Sequence, residues 1–321
     1  MTRLGYQINN FTYPDVAAAD IFDRVIAQAR AAESAGFDRV MVMDHFYQLP
    51  VLGAHDEPMF ESYTLLSAIA QHTEQVRLSA LVTGNTYRHP TLLANAVTAL
   101  DHVSKGRATL GIGSGWFELE HDELGYEFGS FTDRFEKLEE ALQIIIPMLR
   151  GEAVTLDGKH YQVSNAINSP KPVSRIPIMI GGAGEKKTLR MVAQYADESN
   201  LSSATLEEIP RKFDALDAHC QRLGRDRSEI TVTKILGAHV APTMEQAEAA
   251  LSAMAARKGW SDEVVSMIKA PMVFGTPDTV GEELSRWMAT GLDGLTLSLP
   301  WNGHDTDRIG LLADVALAAT A

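Results

Sequence analysis

Short apolar runs alternate with longer amphipathic stretches along most of the chain. The short runs predict eight strands, over residues 4–9, 39–43, 76–83, 108–112, 177–180, 198–202, 231–240 and 294–299. Val40-Met41-Val42-Met43 shows no polar alternation, as expected of a strand buried on both faces of a parallel sheet. The longer runs predict helices. Phe22, Val25, Ile26 and Ala29 recur at i, i+3, i+4 and i+7, and Gly36 closes that helix. Pro90 opens another, at a position where a missing N–H costs nothing, and Gly106 ends it. Phe135, Leu138, Leu142, Ile145 and Leu149 mark a third, whose last turn Pro147 is expected to kink.

Eight strand–helix units predict an α/β fold, a (β/α)8 TIM barrel formed as a single domain over residues 1–321. A doubly wound open sheet is the other arrangement of such units. Two insertions interrupt the alternation. Residues 44–61 form a long connection after the second strand. Residues 151–176, between the fourth and fifth strands, carry a small hairpin that turns at Asp157-Gly158. Long connections on a barrel commonly cover its ligand site.

Composition narrows the functional classes. A formal charge of −14 over 321 residues argues against a nucleic-acid partner, which needs a basic face. The single cysteine, Cys220, excludes an intrachain disulfide and reads as helix packing. The start, Met1-Thr2-Arg3-Leu4-Gly5-Tyr6, lacks the pattern of a signal peptide, and no apolar run approaches the roughly 18 residues of a membrane span. A soluble cytoplasmic protein is expected. The apolar helix from Phe60 to Ala70 is a candidate face for a homodimer.

Barrels of this class gather their active groups where strands end. The second strand ends at Asp44-His45, and histidine is the side chain that exchanges a proton most readily near neutrality. Thr83-Gly84 ends the third strand. Gly113-Ser114-Gly115-Trp116 ends the fourth; it fails the dinucleotide pattern G-x-G-x-x-G because Trp116 holds the third glycine position. After the fifth, Gly181-Gly182-Ala183-Gly184 leads into a helix, with Lys186 and Lys187 beside it, a turn suited to a phosphate. Metal catalysis finds no support: the first strand ends in Gln7-Ile8-Asn9 rather than a histidine pair, and no H-E-x-x-H occurs. Glu118, Glu120, His121, Asp122 and Glu123 read as a solvated acidic face. No G-x-S-x-G elbow marks a serine hydrolase.

Several of these segments together resemble the luciferase-like flavin and deazaflavin oxidoreductases. They are Tyr6-Gln7-Ile8, Val42-Met43-Asp44-His45-Phe46, residues 98–107, residues 111–116 with Glu120-His121 and Gly125, the turn at residues 181–184, and Phe274-Gly275-Thr276-Pro277. The resemblance spans nearly the whole chain, and it is nearest to the branch that uses coenzyme F420. It implies a small-molecule substrate and a cofactor at the barrel mouth, either F420 or FMN. Asp44 and His45 would lie near its ring system, with His45 passing a proton. A bulge near residues 81–84, often with a non-proline cis peptide, would place Thr83 and Gly84 behind the ring. Gly113, Ser114, Gly115, Trp116, Gly181, Gly182, Ala183 and Gly184 would contact its linker and phosphate. The reaction implied is hydride transfer between F420 and a small organic molecule. The alternatives are an FMN-dependent monooxygenase using reduced flavin and oxygen, and a non-catalytic cofactor-binding protein. Trp116 stands in the region where the family's sugar-phosphate dehydrogenases carry a glutamate, which argues against a sugar phosphate here.

Overall fold

The computed structural model describes residues 2–320; Met1 and Ala321, the ends of the expected domain, lie outside the described residues. In chain order the first half holds β1 (Arg3–Ile8), α1 (Ile21–Ser34), β2 (Arg39–Val42), α2 (Ser62–Ala70), β3 (Arg77–Ala80), β4 (Thr83–Gly84), α3 (Pro90–Val103), β5 (Leu110–Gly113), α4 (Glu118–Leu124) and α5 (Phe131–Leu149). There follow β6 (Val154–Asp157), β7 (Gln162–Ala166), β8 (Ile178–Gly181), α6 (Thr188–Tyr195), β9 (Glu198–Asn200) and α7 (Ile209–Leu223). The chain ends with β10 (Thr231–Val240), α8 (Met244–Lys258), α9 (Asp262–Lys269), β11 (Val273–Gly275), α10 (Pro277–Met288), β12 (Gly294–Ser298) and α11 (Thr306–Thr320). By their internal contacts the residues form two compact units. One holds Met1–Met41, Tyr47–Met59 and Val232–Ala321; the other holds Val42–Phe46 and Phe60–Thr231.

In the first unit the strands run in the order β2, β1, β12, β10. β1 lies parallel to β12, in register from Arg3 opposite Gly294 to Gln7 opposite Ser298. The three-residue β11 pairs with the end of β10, Ala238 opposite Val273. No periodicity can announce so short a strand, and the sequence pattern passes it over.

In the second unit the order is β9, β8, β5, β4, again parallel. The predicted third strand, 76–83, is two strands here. It breaks at the Leu81–Val82 peptide, which is cis. α5 runs through Pro147 to Leu149 and buries Leu138, Leu142, Ile145 and Leu149. The hairpin of β6 and β7 stands at its predicted place, closed by Gly158 N–H on Tyr161 O at 3.0 Å. Cys220 is buried, as packing requires. α2 departs from the expectation of an exposed apolar face: Tyr63, Leu65, Leu66 and Ile69 are all buried within the unit. Its apolar stripe is spent on the unit's own core. Among the described residues no helix is long and apolar enough to cross a membrane.

Close strand packing fixes one glycine of β5. A Cβ added to Gly111 would lie 2.1 Å from the backbone oxygen of Ala80. Backbone cannot step aside as a side chain can. Gly111→Ala is therefore expected to lower stability by about 1–3 kcal/mol or more, read as a fall in the urea midpoint at unchanged slope. An unaltered midpoint would contradict this packing.

Candidate active site

The site residues of the second unit follow the ends of its strands. Asp44, just after β2, is only 3% exposed. Its carboxylate is filled. Arg88 Nη1 donates to Oδ2 at 2.7 Å and Arg88 Nη2 to Oδ1 at 2.9 Å. Ser62 Oγ–H donates to Oδ1 at 2.7 Å, and the Gly84 N–H donates to Oδ2 at 3.0 Å. The fork of a guanidinium on a carboxylate is among the stronger hydrogen-bonded pairs. Arg88 also holds Glu61 at 2.5 Å. Burial pushes the Glu61 carboxyl up, but bonds from Thr64 and Arg88 outweigh it and hold it below its ordinary value. Thr83 is fully buried, its hydroxyl 2.7 Å from Tyr63 Oη. The side chains of Asp44 and Thr83 thus tie β4 to α2.

His45 faces a different partner. Its Nδ1 lies 2.9 Å from Glu120 Oε2. Glu120 also accepts the Phe46 N–H on Oε1 at 2.5 Å and the Tyr87 hydroxyl on Oε2. A carboxylate that takes three donors acts as an acceptor, so Nδ1 carries the proton and Nε2 is the atom that exchanges. No hydrogen bond reaches Nε2 among the described residues. Glu120 is wholly buried, as is His121, whose Nδ1 meets Phe117 O at 2.8 Å and whose Nε2 meets Thr86 Oγ1 at 2.7 Å. The expected solvated face holds for Glu118, Asp122 and Glu123, which are exposed, and fails for these two. On one helical turn, residues 120 and 121 point inward while 118, 122 and 123 point out. The only signal was that inward pair, Glu-His, following an apolar Phe117.

Trp116 is 61% exposed and stacks on Phe117 at 5.2 Å, and both rings meet His45 edge-on, at 5.6 and 5.7 Å. Covering the open part of such a ring would return on the order of 3 kcal/mol. Beside it the strand ends are bare. Val82, half-buried, lies over Gly113 and Gly181; a Cβ on either would come within 2.9 Å of its methyls. Gly182 adopts φ +119° and turns the chain toward Ala183 and Gly184, ahead of α6. Lys187 sits over the Phe131 ring at 5.2 Å, and Lys186 is exposed. Ser114 and Gly115 complete the β5 loop, with Gly115 at φ +79°. Among the described residues Asp133, Glu136 and His160 form a cluster with metal-like spacing, but Lys159 Nζ already pairs with both carboxylates, at 3.4 and 2.7 Å.

Parallel strands alternating with helices, with polar groups and glycine turns where the strands end, define an α/β-barrel protein with a candidate ligand site at its strand tips. The chain belongs to the family described as luciferase-like monooxygenase, which matches residues 2–294. It is 32% identical over 202 residues to an F420-dependent glucose-6-phosphate dehydrogenase of Microbacterium testaceum (strain StLB037), covering 62% of this chain and 59% of that one. The chain thus spans about three fifths of that relative's length. A protein of the same description from Tsukamurella paurometabola is 28% identical over 87% of this chain and 88% of its own. The solved monooxygenase of Streptomyces bottropensis superposes with a TM-score of 0.82 at 19% identity, covering 99% of this chain and all of that one. The fold is the (β/α)8 barrel that the alternation of strands and helices predicts.

Removing Arg88 would leave the Asp44 charge buried and uncompensated. Arg88→Met is expected to cost about 3–5 kcal/mol, measured by chemical denaturation. A loss within error of zero would show that the pair is not buried as described. Burial, the first cause, raises the phenols of Tyr63 and Tyr87 well above 10, and the bond to Glu120 raises Tyr87 further. The folded state therefore keeps protons that the unfolded chain releases near pH 10. Stability should be fully present below pH about 10 and fall as pH rises beyond it. Thermal unfolding followed across that range checks the sign.

Proposed function

We propose that the protein is an oxidoreductase that uses coenzyme F420 to transfer a hydride to or from a small organic molecule, a carbonyl compound or the corresponding alcohol. The observation that carries this reading is His45: its Nδ1 is held by Glu120, its Nε2 is unengaged, and its ring neighbours are the exposed indole of Trp116 and the buried ring of Phe117. The F420-dependent relatives support the choice of cofactor. The residues fit a planar ring. Val82 supplies an apolar support, Gly113 and Gly181 leave it uncovered by side chains, and Trp116 supplies a wall. Backbone N–H groups of Gly113, Ser114, Gly115, Gly181, Gly182, Ala183 and Gly184 are the candidates for linker and phosphate.

When bound, the deazaflavin supplies a two-electron acceptor or donor of hydride. The protein's own part is the proton. In the oxidising direction His45 Nε2 accepts the hydroxyl proton of the alcohol; in the reducing direction it returns one to the carbonyl oxygen. Glu120 holds the ring in the tautomer that leaves Nε2 available. Asp44 acts through Arg88 and the Gly84 N–H, keeping β4, which would support the ring, in place. Trp116 excludes water from one side. A cytoplasmic homodimer belongs to the same reading.

An FMN-dependent monooxygenase is the second reading, and the family's description supports it. Fluorescence titration of the purified protein separates the two. Saturable binding of F420 with weak or absent binding of FMN is expected, and the reverse preference would overturn the assignment. His45→Ala should keep cofactor affinity while lowering turnover about 10²–10⁴-fold. Cofactor binding without any turnover across carbonyl and alcohol panels would favour a carrier.

A further inference from the structure

Tyr87 and His45 use the same oxygen. The Tyr87 hydroxyl donates to Glu120 Oε2, and His45 Nδ1–H donates to that oxygen at 2.9 Å. Oε1 accepts the Phe46 N–H at 2.5 Å. Every residue of this cluster lies in the second unit.

Packing fixes where the phenol stands. The Tyr87 N–H donates to Gly84 O at 3.1 Å. The ring lies on Gly84, where a Cβ would meet two of its carbons at 2.7 and 2.8 Å. His121 stacks on the ring at 4.8 Å, and its Nε2 meets Oγ1 of Thr86, the preceding residue, at 2.7 Å. Phe46 and Tyr126 pack against it edge-on, at 5.1 and 5.3 Å. A phenylalanine would make all of these ring contacts. What tyrosine adds is the hydroxyl and its bond to Glu120. Burial first, and then that bond, raise the phenol far above its ordinary value, so it stays a donor throughout the range in which histidines titrate.

We propose that Tyr87 is a positioning residue that lowers the proton affinity of His45 Nε2 by competing for the Glu120 oxygen that Nδ1–H uses. When Nε2 takes a proton, the imidazolium is stabilised by the carboxylate charge at Nδ1. A second donor on the same oxygen draws on that charge and reduces the gain. An imidazolium against an unshared carboxylate would hold its proton tightly; the phenol loosens that hold, and Nε2 returns the proton more readily. The consequence for turnover rests on the redox reading; the effect on His45 does not. The other charges around the cluster are matched or turned outward. Arg88 pairs with Asp44, His121 has both nitrogens bonded, and Glu118, Asp122 and Glu123 of α4 are exposed.

The test follows the His45 ring nitrogens by NMR in the full-length, cofactor-free protein carrying ¹⁵N-labelled histidine, with His45→Gln for assignment. Tyr87→Phe keeps the clamped ring and removes only the hydroxyl. The His45 midpoint should move to higher pH by about half a unit or more, roughly a threefold gain in proton affinity. Glu120→Gln removes the charge and should move it to lower pH. General loosening of the packing would shift both variants the same way, toward an exposed histidine, so opposite shifts identify the competition. A midpoint unchanged or lowered in Tyr87→Phe overturns the proposal, and so does an unchanged one in Glu120→Gln. Should Tyr87→Phe fail to fold, 3-fluorotyrosine at position 87 takes its place. It is a stronger donor of nearly the same size and should lower the midpoint; an unchanged or raised one overturns the proposal. In the F420-loaded enzyme the pH profile of kcat/KM should move with the NMR midpoint, in the same direction. If the midpoint moves but no carbonyl or alcohol is turned over, the redox reading falls and the role of Tyr87 stands. If turnover is present and the midpoint does not move, the redox reading stands and the role of Tyr87 falls.

Discussion

A single buried carboxylate, that of Glu120, ties together the strand ends of the second unit. Glu120 lies on α4, yet its partners come from two other places in the chain: His45 and Phe46 follow β2, and Tyr87 follows β4. Burying a carboxylate is costly unless donors surround it. Here the cost is offset by a backbone N–H, a phenol and an imidazole, and each donor is in turn fixed by the charge it serves. Phe46 and Tyr87 then pack edge-on at 5.1 Å, and Tyr87 stacks on His121 at 4.8 Å. The consequence for function is orientation: a histidine whose Nδ1 is committed has only one atom left for chemistry, and that atom has a fixed direction.

The second constraint is steric and acts on the backbone. Val82 lies over the ends of β5 and β8 only because Gly113 and Gly181 have no Cβ. The Asp44 carboxylate holds the Gly84 N–H from one side while Tyr63 holds Thr83 from within. Bulge, glycines and ion pair therefore form one assembly. A larger residue at 113 or 181 would displace Val82.

These layers were unequally legible in the sequence. Long strands declared themselves by composition, and β10 falls on the predicted 231–240 to the residue. The glycine turns were legible as turns, because small residues follow the apolar runs of β5 and β8. The Leu81–Val82 bulge entered through family resemblance; the apolar run 76–83 carries no break. β11 was missed because three residues cannot establish a period. Glu120 was misread for a physical reason. Charge density along 118–123 favours solvent, and burial of one acid in that run depends on donors from residues 45, 46 and 87, which no local pattern connects. Arg88 was hidden likewise, since its partner Asp44 lies far from it in the chain. Local periodicity reports what an element must bury, whereas paired charges report which elements meet.

Counting the free ionisable atoms limits the chemistry further. Near His45, Asp44 has every lone-pair direction taken, Arg88 is divided between two acids, Tyr87 is tied to Glu120, and both nitrogens of His121 are bonded. Among these residues, Nε2 of His45 is the one atom left to exchange a proton. The proposed interconversion of an alcohol and a carbonyl moves a single proton to or from the substrate oxygen, which matches one such atom.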